Sequence, residues 1–127
     1  MIVLDTSAIL AMFLNEPGKA AVERDAQAAC ISATVLTEAM GRIIRGGLVA
    51  SPLIRMVEGY NIAIIPFDRI QAEIAGELIV PGREHGVGLG DCCVLALAIS
   101  RRSPILTGDR EWLNLQAIVL IEIRIFR

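Results

Sequence analysis

The sequence predicts an α/β domain of three layers, a central parallel β-sheet flanked by helices. Short β-branched runs alternate with segments of helical period, the pattern of βαβ units. Hydrophobic residues make up 54% of the 127-residue chain even with its 11 glycines left out, above the roughly 45–50% of an ordinary globular protein with glycine counted. Turn residues are spread along the chain rather than gathered at one boundary, so residues 1–127 are expected to form a single domain.

Ile2-Val3-Leu4 reads as a first strand, and Ser7 to Leu14 as a helix capped by Thr6 or Ser7 and stopped near Pro17. A second helix is expected over Lys19 to Ala28, followed by a strand at Ala29-Cys30-Ile31. The next helix starts at Ser32 or Thr34 and runs to about Arg45, where Gly46-Gly47 ends it. Its apolar stripe is Leu36, Met40, Ile43 and Ile44, which leaves Glu38 on a flank of the core-facing side. Pro52 to Tyr60 reads as a helix and Asn61 to Pro66 as a strand. Asp68 caps a helix running to about Val80, before Pro81-Gly82, and Gly82 to Gly90 is expected to be loop. Asp91 opens a helix through Ser100. Pro104 to Thr107 is a strand, Arg110 to Asn114 a short helix, Ala117 to Ile121 a buried strand, and the alternating tail Glu122 to Arg127 resembles an edge strand.

With 12 basic and 14 acidic residues the net charge is −2, which excludes a generic basic nucleic-acid coat but not a nuclease. Cys30, Cys92 and Cys93 are odd in number and two are adjacent, a spacing for neither a disulfide framework nor a zinc clip. A reducing, cytoplasmic location is expected. The longest apolar run, Cys92 to Ile99, falls far short of the roughly 20 residues that span a bilayer, and Asp5 interrupts the apolar start, so neither a membrane span nor a secretory leader is expected.

In an open parallel sheet, ligands lie beyond the carboxyl ends of the strands. Asp5 and Asp109 both follow apolar strands, Asp91 precedes the run from Cys92 to Ile99, and Glu38 is embedded in Thr34-Val35-Leu36-Thr37-Glu38-Ala39-Met40. Each has an ordinary reading: Asp caps helices and turns, and Glu38 with Arg42 four residues on is a common solvated pair. Ser7 and Thr107 equally satisfy backbone groups. Were all four acids together, each pair at about 4 Å would cost roughly 4 kcal/mol even at an effective dielectric of about 20. A cation must then compensate, and hard oxygen donors without His or Cys suit Mg²⁺ or Mn²⁺. With those four set aside, the rest of the chain is slightly basic. His85 stands in a Gly-rich loop without a partner that would make a triad or zinc site.

Four blocks taken in order, Asp5-Thr6-Ser7-Ala8, Ser32 to Glu38 as Ser-x-x-Val-x-x-Glu, Leu89-Gly90-Asp91-Cys92, and Thr107-Gly108-Asp109-Arg110-Glu111-Trp112, resemble a PIN domain over nearly the whole chain. In size and layout the chain is similar to the VapC-type toxins of toxin–antitoxin pairs. The resemblance implies that Asp5, Glu38, Asp91 and Asp109 are an acidic quartet binding one or two Mg²⁺ or Mn²⁺ ions, with Ser7 and Thr107 as supporting hydroxyls. It implies hydrolysis of RNA phosphodiester bonds by metal-activated water. A homodimer and a cognate antitoxin as partners would account for the apolar surplus. Arg42, Arg45, Arg83 and Arg110, near these blocks, are candidate RNA contacts, although each also reads as a solvated surface arginine. Gly108 stands where the family often has Ala. The alternative is a PIN-like module that binds RNA or protein without cutting. A phosphatase with an N-terminal Asp nucleophile would need a second acid where Ser7 stands.

Overall fold

Three consecutive apolar residues set the centre of the molecule. Neighbours in a strand point to opposite faces, yet Ile2, Val3 and Leu4 are all buried, so this strand, β1 (Ile2–Leu4), is covered on both sides. The computed structural model describes residues 1–127. The other strands are β2 (Ala29–Ser32), β3 (Ala63–Ile65), β4 (Ile105–Thr107) and β5 (Ile123–Ile125). All pairings are parallel and the order is β3-β2-β1-β4-β5. The chain moves from β1 to one side for β2 and β3 and to the other for β4 and β5. The switch between directions opens a crevice at the carboxyl ends of β1 and β4, the usual place for a ligand in such a sheet.

The helices are α1 (Thr6–Leu14), α2 (Lys19–Asp25), α3 (Ala33–Arg45), α4 (Ser51–Gly59), α5 (Arg69–Arg83), α6 (Leu89–Arg101) and α7 (Gln116–Val119), with 3₁₀ segments at Ala26–Ala28 and Arg110–Leu115. In α6 every residue from Cys92 to Ala98 is buried. A helix apolar all round belongs inside the protein, and this one packs on β1 and β2. The two cysteines act there as small hydrophobes, and all three cysteines are free. No helix is long and apolar enough to cross a membrane.

Several boundaries differ from the expectations. The cap of α1 is Asp5, whose carboxylate accepts from the Ala8 N–H, rather than Thr6 or Ser7. α5 continues through Pro81 to Arg83. Pro81 has no N–H to pair with the Glu77 carbonyl, yet the two residues after it stay helical. The loop between α5 and α6 is correspondingly shorter, and α6 opens at Leu89 with Asp91 in its first turn. In α3 the buried stripe is Val35, Ala39 and Ile43, while Ile44 is exposed. Ala117 to Ile121 is not a strand. It holds α7, ended by Leu120 in the left-handed region (φ 56°), and the alternating tail supplies the edge strand β5 instead. A short apolar run does not by itself distinguish a strand from a buried helical turn. Here β5 takes the free edge of β4, leaving no edge for the preceding segment.

Candidate active site

Leu4 and Leu106 are register partners in β1 and β4, so the residues that follow them, Asp5 and Thr107 to Asp109, lie side by side at the sheet's carboxyl edge. Asp5 is 5% exposed. Its Oδ1 accepts from Ser7 Oγ at 2.6 Å and from the Ala8 N–H at 3.0 Å, and its Oδ2 accepts from Thr107 Oγ1 at 2.6 Å. The hydroxyls are themselves aimed. Ser7 Oγ accepts from the Gly108 N–H at 2.9 Å and Thr107 Oγ1 from the Asp109 N–H at 3.1 Å, so each turns its single proton toward Asp5. Desolvation nevertheless outweighs these donors and holds the Asp5 carboxyl above its ordinary range, with Asp109 adding repulsion. Oδ2, with one bond made, keeps a lone pair for a further ligand.

Glu38 and Asp91 come from the flanking helices. Ser32 caps α3 by accepting from the Thr34 N–H, and Glu38 lies less than two turns into that helix, half-buried, where its Oε2 accepts from Thr6 Oγ1 at 3.3 Å. It makes no ion pair with Arg42. The other carboxylate oxygen, Oε1, lies where a side chain on Gly90 would begin, so a Cβ there would overlap it. Gly90 thus lets the start of α6 close on α3 and bring Asp91 beside Glu38. Asp91 Oδ2 accepts from the Gly88 N–H at 3.4 Å. Burial pushes its carboxyl up to about 6, and Glu38, Asp5 and Asp109 each push in the same direction. The fourth acid, Asp109, is exposed and caps the following 3₁₀ turn by accepting from the Glu111 N–H at 3.0 Å.

Comparisons with known proteins show the family and the fold. The PIN domain family model matches residues 2–118. The chain belongs to the PIN domain family. Among solved structures it is similar over its whole length to VapBC2 of Rickettsia felis bound to a DNA fragment from its promoter, with a TM-score of 0.77, 18% identity and 100% of both chains covered. DNA-bound VapBC of Salmonella typhimurium is similar at TM-score 0.73 and 23% identity, over 99% of this chain and 98% of that one. VapBC-1 of nontypeable Haemophilus influenzae follows at 0.71 and 20%, with the same coverage. No curated protein sequence matches it.

In this PIN domain the four acids therefore feel one another, yet none is in an ion pair. The ion pairs present join Lys19 to Glu23, Arg69 to Glu73, Arg124 to Glu122 and Arg127 to Glu16. The side chains are grouped rather than closed, with no three placed at ligating distance of one point. An all-oxygen donor set, unneutralised and with a lone pair of buried Asp5 to spare, fits a hard divalent cation. Beside it, Thr34, Thr37, Glu38, Leu89, Gly90 and Cys93 line a cleft of about 310 Å³.

Of the four arginines singled out in the sequence, Arg110 directly follows Asp109, and all four are exposed and outside the ion pairs. Arg42 lines a separate cleft with Leu10, Leu14 and Leu48. His85 sits, half-buried, in the α5–α6 loop. Thr6 and Gly90 were not among the expected site residues, although both fall inside the quoted blocks. Thr107→Val keeps the shape but leaves the Asp109 N–H and Asp5 Oδ2 without their partner. It is expected to cost about 1–3 kcal/mol of stability, measured by chemical denaturation against wild type.

Proposed function

We propose that this PIN domain is a metal-dependent endoribonuclease, the toxin of a VapC-type toxin–antitoxin pair. The observation that carries the reading is the group of four carboxylates with no cationic partner, built around a buried Asp5 whose orientation is fixed by three donors. A scaffold that only bound RNA would have no physical reason to keep Asp5, Glu38, Asp91 and Asp109 together against their repulsion and without neutralisation.

The quartet would hold one or two Mg²⁺ or Mn²⁺ ions. When bound, such a cation supplies an activated water and neutralises charge growing on the phosphate and the leaving oxygen. The chain's own residues prepare that chemistry. Ser7 and Thr107 hold Asp5 in one orientation, so little reorganisation remains when ligand arrives. Thr6 and the open space at Gly90 place Glu38 opposite Asp91. The exposed Asp109 lies at the solvent side, where an RNA strand enters, and Arg42, Arg45, Arg83 and Arg110 are proposed to meet its phosphates.

An antitoxin partner is supported by the VapBC complexes among the structural neighbours and by apolar surface around the α1 and α3 ends, where Leu14, Ile44, Leu48 and Val49 are exposed beside a cleft of about 220 Å³. We place the antitoxin there, and a homodimer and a cytoplasmic location belong to the same reading. The test is cleavage of total cellular RNA by purified protein with Mg²⁺, Mn²⁺ or EDTA, beside Asp91→Ala. Cutting that needs metal and is lost in the variant supports the reading. Folded protein that cuts no RNA overturns it in favour of a non-cleaving binding module.

A further inference from the structure

Glycine at position 108 has a consequence beyond the Ser7 bond. A Cβ built there would lie 2.8 Å from Arg127 Nε, 3.1 Å from its Cζ and 3.0 Å from Phe126 Cζ. The Arg127 guanidinium therefore rests against the backbone of the segment that joins Thr107 to Asp109, in space that any larger residue would fill. Two further contacts hold it. Its Cζ is 5.1 Å from the centroid of the Phe126 ring, a cation–π geometry. Its Nη1 meets Glu16 Oε1 at 3.5 Å. Phe126 is itself anchored, with its N–H donating to the Thr107 carbonyl at 3.1 Å.

Glu16 takes Nη1 alone, at the limit of hydrogen-bond length, and no other acceptor is bonded to the guanidinium. The group is one-third exposed. An arginine has five N–H donors in a planar fork that matches a phosphate, so most of this fork is unspent. The contacts with Gly108, Phe126 and Glu16 orient the side chain, which lowers the conformational entropy lost on binding. The Gly108 N–H donates to Ser7 Oγ, and Ser7 donates to Asp5, so the backbone against which the guanidinium rests is two hydrogen bonds from the buried acid.

We propose that Arg127 is a substrate-binding residue of this site, gripping a phosphate of the RNA strand on the β5 side of the acidic group, and that Gly108 is the opening that admits it. The inference rests on the ribonuclease reading. Arg127 acts on strand binding, not on the bond-breaking step.

Steady-state cleavage of a short single-stranded RNA with Mn²⁺, followed at several salt concentrations, tests this. Arg127→Ala is expected to raise KM about tenfold with kcat little changed, and to reduce the dependence of log KM on log salt by about 0.7, the value of one single-strand phosphate contact. Arg127→Lys should recover part of the loss, and Gly108→Ala, which displaces the guanidinium, should follow Arg127→Ala. Glu16→Gln separates binding from architecture. If Arg127 serves only to pair with Glu16, that variant will match Arg127→Ala, and the proposal falls; if it grips phosphate, Glu16→Gln will leave KM unchanged or lower it. An unchanged KM and salt slope in Arg127→Ala overturns the proposal while leaving the nuclease reading intact. Wild-type protein that cleaves nothing overturns both.

Discussion

Asp5→Asn is expected to lower metal-dependent RNA cleavage by on the order of 10²–10³-fold or more, the usual cost of removing a preorganised electrostatic group from such a site, while the protein stays folded. The amide keeps an oxygen for the Ala8 N–H, so the α1 cap survives, and burial of a neutral group removes the desolvation that raises the Asp5 carboxyl. What disappears is the charge and, with Oδ2 replaced by an NH₂ donor, the acceptor of the Thr107 hydroxyl. Cleavage assays paired with thermal melts separate the two. Ser7→Ala is expected to cost less, about 10–100-fold, because it only loosens the orientation of a retained carboxylate.

A second large effect concerns stability and pH. The Asp91 carboxyl sits at about 6 in the folded protein, above the ordinary 3.8 of an aspartate, so the native state binds this proton more tightly than the unfolded chain. Its contribution is fully present below the unfolded value and is lost as pH rises through about 6. The Asp5 shift has the same sign. Metal-free wild type should therefore be less stable, on account of these groups, at pH 7.5 than at pH 5. Asp91→Asn should stabilise the metal-free protein at pH 7.5 and not at pH 4. Asp91 is only partly buried, so solvent screening reduces the gain to about 1 kcal/mol, or a few degrees in Tm. Saturating Mg²⁺ should reverse the order, because it stabilises the wild-type carboxylate and has less to bind in the variant.

The acids were legible in the sequence because chemistry and position coincided. Asp5 and Asp109 follow β1 and β4, the two strands at the switch of sheet direction, where a ligand is expected, although each also reads as an ordinary cap and does cap the helical turn after it. Glu38 and Asp91 were less plain from their local sequence, since a glutamate four residues before Arg42 reads as a surface pair and an aspartate at a helix start reads as a cap. Their place emerged from the order of the blocks, and the structure shows why: Gly90 and Thr6 bring the two helices into register around Glu38. Such contacts join residues 32 and 52 positions apart, and no local pattern encodes them. The role of Arg127 was hidden for the same reason, because it depends on what Gly108 lacks. The misread strand at Ala117 to Ile121 has a different cause. Five consecutive apolar residues satisfy either period, and the outcome was decided by competition for the edge of β4.

The most direct test of the central claim is the stoichiometry of Mn²⁺ binding, measured by calorimetry at pH 7.5 on wild type and on Asp5→Asn. If Asp5, Glu38, Asp91 and Asp109 form one cation site, wild type will bind one or two Mn²⁺ per chain, and Asp5→Asn will lose at least one of them or bind it far more weakly. Binding that is identical in the two proteins, or absent from folded wild type, would contradict the account.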